Sequence, residues 1–243
     1  MPLHVQLRDR VAVLTLDDPD RRNALTRALG DELVAAVDDL SQDPEVGALV
    51  VTGAGSAFCS GADVADLRGL SGDDADARVA AGLKSIYAGF LRVLECPLPT
   101  VAAVNGPAVG AGMNLALACD LRIAGRSARF DPKFITIGLH PGGGHTRLLE
   151  RLGGPEVAAA MVLFGQAVAG PDAVARGVAW ETTEDDALLD RAVEVASRAA
   201  AAPRDLAIAI KATLRTTPGL PDHAAAVAAE LAPQVRSLRG LST

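Results

Sequence analysis

Residues 105–124 have the sequence NGPAVGAGMNLALACDLRIA, in which glycines and alanines join a predicted strand directly to a predicted helix. The strand is Pro99–Val104, and the helix contains GMNLALACD. Small residues let a ligand approach the main chain, and the first N–H groups of a helix have no partner within it. The turn Gly106–Gly112 is therefore a candidate oxyanion site built from backbone N–H groups. Taken alone, it is equally compatible with a tight turn that only packs the helix.

A second glycine-containing stretch, VVTGAGSAF at residues 50–58, follows the predicted strand Ala48–Thr52. It is only partly similar to a dinucleotide-binding fingerprint, because Phe58 stands where the third glycine is needed. No acidic residue ends a second strand at the required distance. The turn at residues 106–112 is not a P-loop either, since no Gly-Lys-Ser/Thr follows it. Both common nucleotide-binding motifs are therefore disfavoured.

Strands and helices alternate along most of the chain. Predicted strands at Val11–Leu16, Ala48–Thr52 and Pro99–Val104 are separated by segments with helical periodicity, which indicates a right-handed α/β arrangement. From Leu188 onward the pattern is purely helical and rich in alanine. We therefore predict a core over residues 1–187 and a C-terminal helical region over residues 188–243.

Composition restricts the class of protein. Hydrophobic residues make up 49% of the 243 residues, enough for a large core, and the formal net charge of −7 argues against binding nucleic acid or an anionic membrane. The three cysteines are widely separated, which favours buried thiols in a reducing compartment and no metal site. No signal peptide or apolar run of about 18 residues is present, so we expect a cytoplasmic protein without membrane association.

Five motifs together resemble the crotonase superfamily, in particular the enoyl-CoA hydratase/isomerase family. The paired signature is AFCSGADVADL at residues 57–67 followed by NGPAVGAGMNLALACDLRIA. The other matches, in the expected order, are RRNAL at residues 21–25, ARFDPKF at 128–134 and IGLHPGGGHTRLLERLGG at 137–154. The resemblance covers residues 5–230.

The resemblance implies a ClpP-like crotonase spiral, in which repeated ββα turns form two roughly perpendicular sheets. C-terminal helices then form the trimerisation region, and the expected assembly is a homotrimer or a dimer of trimers. Family members usually continue past the equivalent of Leu238 with a further helix that bears basic residues and covers CoA. This sequence stops at Thr243, so that helix and its contact are expected to be missing, with reduced affinity for CoA.

The family binds an acyl-CoA or enoyl-CoA in a bent form and polarises its thioester carbonyl with two backbone N–H groups. The matching positions are Ala62 and Ala111, and neither function requires a side chain. CoA is part of the substrate, and the resemblance implies no separate cofactor.

The same resemblance implies a CoA pocket on the N-terminal side of the signature. Ser60, Ala62 and Val64 should line the adenine pocket. Arg21 and Arg22 lie where the CoA phosphates or ribose would pass, although ordinary surface charge explains these arginines equally well.

The sequence departs from the family at its two catalytic glutamates, whose positions are taken by Asn114 and Phe134. Hydration needs one group to activate water and one to deliver a proton, and neither an amide nor a phenyl ring exchanges a proton at neutral pH. These replacements argue against standard hydratase chemistry. His140 is the candidate replacement acid or base, because imidazole titrates near neutrality; a histidine bonded within its loop is the alternative.

Three functions remain open from the sequence. The chain is an enzyme acting on an acyl-CoA thioester through the oxyanion hole, a non-catalytic acyl-CoA-binding protein, or a structural subunit that assembles with active paralogues. The polar stretch Ser71–Asp76 is predicted to be a mobile loop that shapes the acyl pocket. It carries no chemical signature that would identify the acyl chain.

Overall fold

The computed structural model describes residues 2–63 and 72–240 of the chain. The strands are β1 Leu3–Arg8, β2 Val11–Leu16, β3 Ala48–Gly53, β4 Thr100–Val104, β5 Pro107–Val109, β6 Leu121–Gly125, β7 Arg129–Asp131, β8 Val168–Ala169 and β9 Glu181–Thr183. The helices are α1 Arg27–Gln42, α2 Ala75–Glu95, α3 Ala111–Ala118, α4 His145–Val162, α5 Gly170–Ala173, α6 Leu188–Ala200, α7 Arg204–Thr216 and α8 His223–Gly240. Val64 and Ser71 lie outside the described residues, so the predictions made for them stay predictions.

The strands form two sheets, one of six strands and one of three. The larger sheet has the order β1-β2-β3-β4-β6-β9, in which β1 and β2 form an antiparallel hairpin and every other pair is parallel. The smaller sheet has the order β5-β7-β8. Parallel neighbours need long crossovers, and α1, α2 and α3 lie within three of them. The predicted α/β architecture is confirmed.

Both faces of the larger sheet are covered. Because side chains alternate along a strand, β2 sends Ala12, Leu14 and Leu16 to the same core as α1, α2 and α3. It sends Val11 and Val13 to a second core on the opposite face. That second core is closed by α6, whose buried residues Leu188, Ala192, Ala196 and Ala200 recur every four residues along one helix face. The predicted boundary between residues 187 and 188 thus falls immediately before a helix that packs on the sheet.

Several short elements were not predicted from the sequence. The hairpin strand β1 begins at the second described residue, and its middle residues are exposed, so it lacks a clear apolar pattern. The strand β5 has only three residues and was interpreted as part of a turn. The loop predicted to end at Asp76 was too long, because α2 begins at Ala75. An aspartate in the first turn of α2 favours that start through the helix dipole.

The last two helices differ from the rest in their exposure. No residue of α8 is buried, and Lys211 is the buried residue of α7. Large apolar side chains on these helices, including Leu214 and Leu231, remain exposed in the single chain. Among the described residues, none of the helices is both long enough and apolar enough to span a membrane.

Candidate active site

Residues 57–63 form an extended segment that is held between two parts of the fold. Cys59 pairs with Ala108 of β5 on one side, and Ala62 pairs with Leu25 on the other, each as an isolated bridge. The hydrogen bonds of the second bridge join Leu25 to the residues that flank Ala62, at 2.8 and 2.9 Å. The N–H of Ala62 therefore points away from Leu25.

Ala111 supplies a second N–H group at the start of α3. The residue before it, Gly110, is the N-cap with φ +51°, and its carbonyl oxygen accepts the first helical hydrogen bond from the N–H of Asn114 at 3.1 Å. The N–H of the first helical residue has no partner in the helix. Within the described part of the chain, no hydrogen bond engages the N–H of Ala62 or of Ala111.

Glycines bring these two segments into close contact. A Cβ atom at Gly112 would lie 2.2 Å from the carbonyl oxygen of Cys59, which is too close for any side chain. Gly61 has φ +105°, and a Cβ atom there would lie 3.9 Å from the nitrogen of Ala111. The space at Gly112 excludes any side chain, and the positive φ of Gly61 favours glycine there, so both positions depend on glycine.

A buried asparagine fixes the N-terminal end of the segment. Asn23 is fully buried in a left-handed conformation, φ +56°. Its Nδ2 donates to the carbonyl oxygens of Ala54 and Ala57 at 2.9 and 2.8 Å, and its Oδ1 accepts the N–H of Asp18 at 2.9 Å. The sequence analysis noted this residue only as part of RRNAL. The property that could have identified Asn23 from the sequence is that asparagine adopts a positive φ more readily than most residues.

A cavity of about 370 Å³ lies beside the two N–H groups. Its wall includes six of the residues predicted from the sequence, namely Ser60, Ala62, Ala111, Asn114, Phe134 and His140. The other lining residues are Gly61, Val79, Leu83, Tyr87, Val109, Gly110, Pro132, Lys133, Ile137, Leu139 and Gly142. The structure therefore brings most of the predicted site together, and the wall is largely apolar.

Arg21 and Arg22 lie near this cavity but are absent from its wall. Both are exposed. Arg21 forms an ion pair with Asp63, and its carbonyl oxygen accepts the Ser60 hydroxyl at 3.1 Å. The carbonyl oxygen of Arg22 accepts the N–H of Ser60 at 2.9 Å. The two arginines are thus coupled to Ser60 through the main chain.

Asn114 is fully buried, and its side-chain amide has a fixed orientation. The carbonyl oxygen of Gly142 can only accept, so the atom 3.0 Å from it is the donor Nδ2. Oδ1 then faces Nδ1 of His145 at 2.6 Å, and that nitrogen must carry a hydrogen. In a neutral ring Nε2 is left with a lone pair, and no hydrogen bond engages it within the described residues.

His145 is neutral at ordinary pH. Burial lowers its pKa from 6.5 to about 4, because the charged ring would lose its hydration. The ring of Phe134 stands 5.0 Å away in an edge-on arrangement, and Phe134 lines the cavity whereas His145 is absent from its wall. His140, and not this histidine, was the candidate acid or base from the sequence. His145 contacts Asn114, a residue 31 positions away along the chain, and the sequence alone gives no sign of such a distant contact.

His140 differs from His145 in exposure and in partner. Its side chain is exposed at the cavity wall. Its Nδ1 lies 2.7 Å from the carbonyl oxygen of Pro141, which can only accept, so Nδ1 is the protonated nitrogen. The neutral ring then presents Nε2 as a base.

Tyr87, on α2, is a lining residue that the sequence analysis missed. Its ring packs 5.5 Å from that of Phe90, and a Cβ atom at Gly142 would lie 2.2 Å from the tyrosine oxygen. Burial raises the pKa of Tyr87, so the hydroxyl stays protonated at neutral pH.

Asp120 acts outside the cavity, as a brace between β4 and α7. Its carboxylate accepts the N–H and the hydroxyl of Thr100 at 2.8 and 3.0 Å, and it pairs with the buried Lys211 at 2.5 Å. Asp131 makes a local ion pair with Arg129 at 3.6 Å.

The cysteines and possible metal ligands add no chemistry to the site. Cys59, Cys96 and Cys119 are buried free thiols, as predicted, and burial raises the pKa of Cys59 and Cys119 to about 12. Within the described ranges, no group of three or more His, Cys, Asp or Glu side chains is placed to hold a metal ion.

Comparison with known proteins identifies the architecture around this site. A model of the enoyl-CoA hydratase/isomerase family matches residues 6–236 of the chain. The chain belongs to this family. The resemblance inferred from the five motifs is thereby confirmed, and the family is one of enzymes that act on CoA thioesters.

Individual relatives and solved structures align with 79 to 99% of this chain. A probable enoyl-CoA hydratase of Mycobacterium tuberculosis is 48% identical, over 98% of this chain and 93% of its own. The 1,2-epoxyphenylacetyl-CoA isomerase of Escherichia coli is 34% identical, over 79% of this chain and 74% of its own. A crystal structure from Thermobifida fusca, in complex with CoA, has a TM-score of 0.87 at 29% identity, over 99% of this chain and 94% of that one. The fold is therefore the crotonase fold, and the names of the relatives span more than one reaction.

Proposed function

We propose that the chain is an enzyme that binds an acyl-CoA and places its thioester carbonyl oxygen between the N–H groups of Ala62 and Ala111. The observation that carries this proposal is that both groups border one cavity without a hydrogen bond inside the described structure. Two preorganised donors stabilise the oxygen of a thioester enolate, and each contributes about 3 kcal/mol in comparable sites. Ser60, Ala62 and Val64 are proposed to contact the CoA portion, with Arg21 and Arg22 near its phosphates or ribose.

The proposed reaction begins with loss of the proton on the carbon next to the thioester. The electron pair of that C–H bond moves onto the carbonyl oxygen, which the two N–H groups hold. Nε2 of His140 accepts the proton, because its other ring nitrogen is occupied by Pro141. The enolate then takes up a proton or rearranges according to the acyl group.

Hydration of a double bond is not the proposed reaction. Positions 114 and 134, where hydratases of the family carry glutamates, hold an amide and a phenyl ring. Asn114 is further committed to Gly142 and His145 by two hydrogen bonds. We therefore expect turnover of crotonyl-CoA to hydroxybutanoyl-CoA to stay at the rate of a no-enzyme control. Steady hydration above that control would contradict this part of the proposal.

Ala111 tests the oxyanion hole directly. Proline is tolerated at the first helical position but has no N–H, so Ala111→Pro removes one donor while α3 can persist. Ala111→Gly keeps the N–H and is the matched control. We expect Ala111→Pro to slow exchange of the α-protons of butanoyl-CoA in D2O by about a hundredfold, with Ala111→Gly within a few-fold of the original. Equal rates in the two variants, with both folded by circular dichroism, would overturn the assignment.

His140 tests the proposed base. His140→Gln is expected to abolish α-proton exchange while butanoyl-CoA still binds with unchanged affinity in calorimetry. His223→Gln, on the exposed helix α8, is the control and should exchange normally. Unchanged exchange in His140→Gln would remove this histidine from the mechanism.

A second candidate is an acyl-CoA-binding protein without catalysis. It is favoured by the engaged amide of Asn114 and by the absence of His145 from the cavity wall. Binding of butanoyl-CoA with no α-proton exchange above background would select this candidate over the enzyme.

We also propose that the protein is a cytoplasmic homotrimer or dimer of trimers. Support comes from the exposed apolar side chains of α7 and α8, which a monomer would leave in water.

A further inference from the structure

The polar groups that border the cavity are mostly hydrogen-bond donors. A neutral amide such as Asn114 normally offers both an acceptor and donors. Here His145 takes Oδ1, and Gly142 takes only one of the two hydrogens on Nδ2. The second hydrogen on Nδ2 has no partner among these contacts, but the side chain is fully buried, and His145 holds the amide in this orientation.

Tyr87 adds an O–H donor to the same wall. Within the described residues, no hydrogen bond engages its hydroxyl, and the tyrosine is packed by its ring against Phe90. The hydroxyl adjoins Gly142, the residue that also accepts from Asn114. An O–H in a largely apolar wall that finds no partner in the protein is set to bond a ligand.

Lys133 adds a positive charge. It lies on the wall in a left-handed conformation, φ +66°, which costs a lysine conformational energy. No residue with a carboxylate side chain is among the described residues that line the cavity. The residues that line the cavity thus include Asn114, Tyr87 and the exposed Lys133, with His140 as the lining base.

We propose that the acyl group received by this cavity carries a hydrogen-bond-accepting oxygen beyond the thioester, a carbonyl or a carboxylate, and that Tyr87 selects for it. This inference rests on the proposed function, since the thioester must occupy the two N–H groups for the acyl chain to enter the cavity. A purely hydrocarbon chain would leave the Tyr87 hydroxyl without a partner, and a site built to bond an oxygen rejects the analogue that lacks it.

The test is a calorimetric comparison of three four-carbon thioesters with the whole protein. Butanoyl-CoA has no further oxygen, acetoacetyl-CoA has a carbonyl at the third carbon, and succinyl-CoA has a carboxylate at the fourth. We expect one or both oxygenated thioesters to bind at least about tenfold more tightly than butanoyl-CoA, the gain from one or two good hydrogen bonds. The identity of the tighter one distinguishes a carbonyl from a carboxylate.

Two variants assign the preference to residues. Tyr87→Phe keeps the ring packing and should reduce the preference about fivefold or more, with the affinity for butanoyl-CoA unchanged. Lys133→Met should reduce the preference over butanoyl-CoA, and most of all for succinyl-CoA. Lys84 is an exposed lysine on the same helix as Tyr87, and Lys84→Met is the control. Unchanged melting temperatures establish that the variants are folded.

The possible outcomes separate this inference from the function on which it rests. Equal affinities for the three thioesters, or a preference that Tyr87→Phe leaves intact, overturn the inference while acyl-CoA binding stands. Failure of butanoyl-CoA and of the other two thioesters to bind overturns the proposed function as well.

Discussion

At the residue scale, Asn114 and His145 form a buried hydrogen-bonded pair beside the proposed reaction site. The amide satisfies Gly142 and His145, and the histidine satisfies only Asn114. Burying the neutral ring with one unpaired lone pair costs less free energy than burying the charged ring at the same position. The pair therefore depends on the histidine remaining neutral.

This dependence predicts a loss of stability in mild acid. The pKa of His145 is about 4 when folded and near 6.5 in the unfolded chain, so between these values the unfolded state binds more protons. The free energy of unfolding is therefore unaffected by this histidine above pH 6.5. It falls by about 3 kcal/mol in total as the pH drops towards 4. Urea unfolding at several pH values measures it. His145→Gln, which cannot titrate, should flatten the dependence in this window, and an unchanged slope would show that other groups cause it.

At the element scale, the site depends on how closely α3 approaches the segment of residues 57–63. Gly112 is buried within α3, and its surroundings leave no room for a methyl group, since Cys59 lies against it. The contact is between two main chains, so a larger side chain must move one element relative to the other.

Gly112→Ala should therefore damage both stability and binding. We expect a loss of about 3 kcal/mol in the free energy of unfolding, the upper range for overpacking, and a disproportionate loss of butanoyl-CoA binding as the two donors separate. Gly219→Ala is the control, because nothing lies within 4 Å of its Cβ position, and it should change stability by less than about 0.5 kcal/mol. Unfolding curves and calorimetry measure both effects. Normal binding by a folded Gly112→Ala protein would contradict this account of the donor geometry.

Elements determined by neighbouring residues could be predicted from the sequence, whereas contacts between distant segments could not. The strand Val11–Leu16 and the entry of small residues into α3 were predicted correctly, because apolar runs and small residues determine the structure of their own segment. The bridge between Leu25 and Ala62 could not be predicted, since it joins distant segments by the main chain alone. The pairing of Asn114 with His145 was missed for the same reason. Recognition of the five motifs supplied what local patterns lack.

At the scale of the whole molecule, α7 and α8 carry the surface that a single chain leaves uncovered. Val227, Leu231 and Val235 are spaced four residues apart on one face of α8, and all three are exposed. Ile210 and Leu214 of α7 are exposed as well. Apolar side chains arranged in this way are typical of a surface between subunits.

We expect sedimentation of the protein to give the mass of three or six chains, and Leu231→Glu to shift it towards that of one. A charge in the middle of an apolar interface loses hydration without gaining a partner, so association weakens. Arg236→Glu, on the opposite face of α8, also alters the charge of the helix and should leave the mass unchanged. A monomeric original protein would contradict the proposed assembly.

The placement of both donors in the main chain also bears on how this protein can change over generations. A codon change at residue 62 or 111 alters the side chain but leaves the N–H in place, unless it introduces proline. The proposed thioester-binding groups are thus kept in any substitution whose side chain fits the site, although Ala111 is buried and leaves little room. Substitution of Tyr87, Asn114 or Phe134, in contrast, directly changes the chemical group at the cavity wall. If the proposed function holds, a lineage can therefore change the reaction while the same two N–H groups continue to bind the thioester.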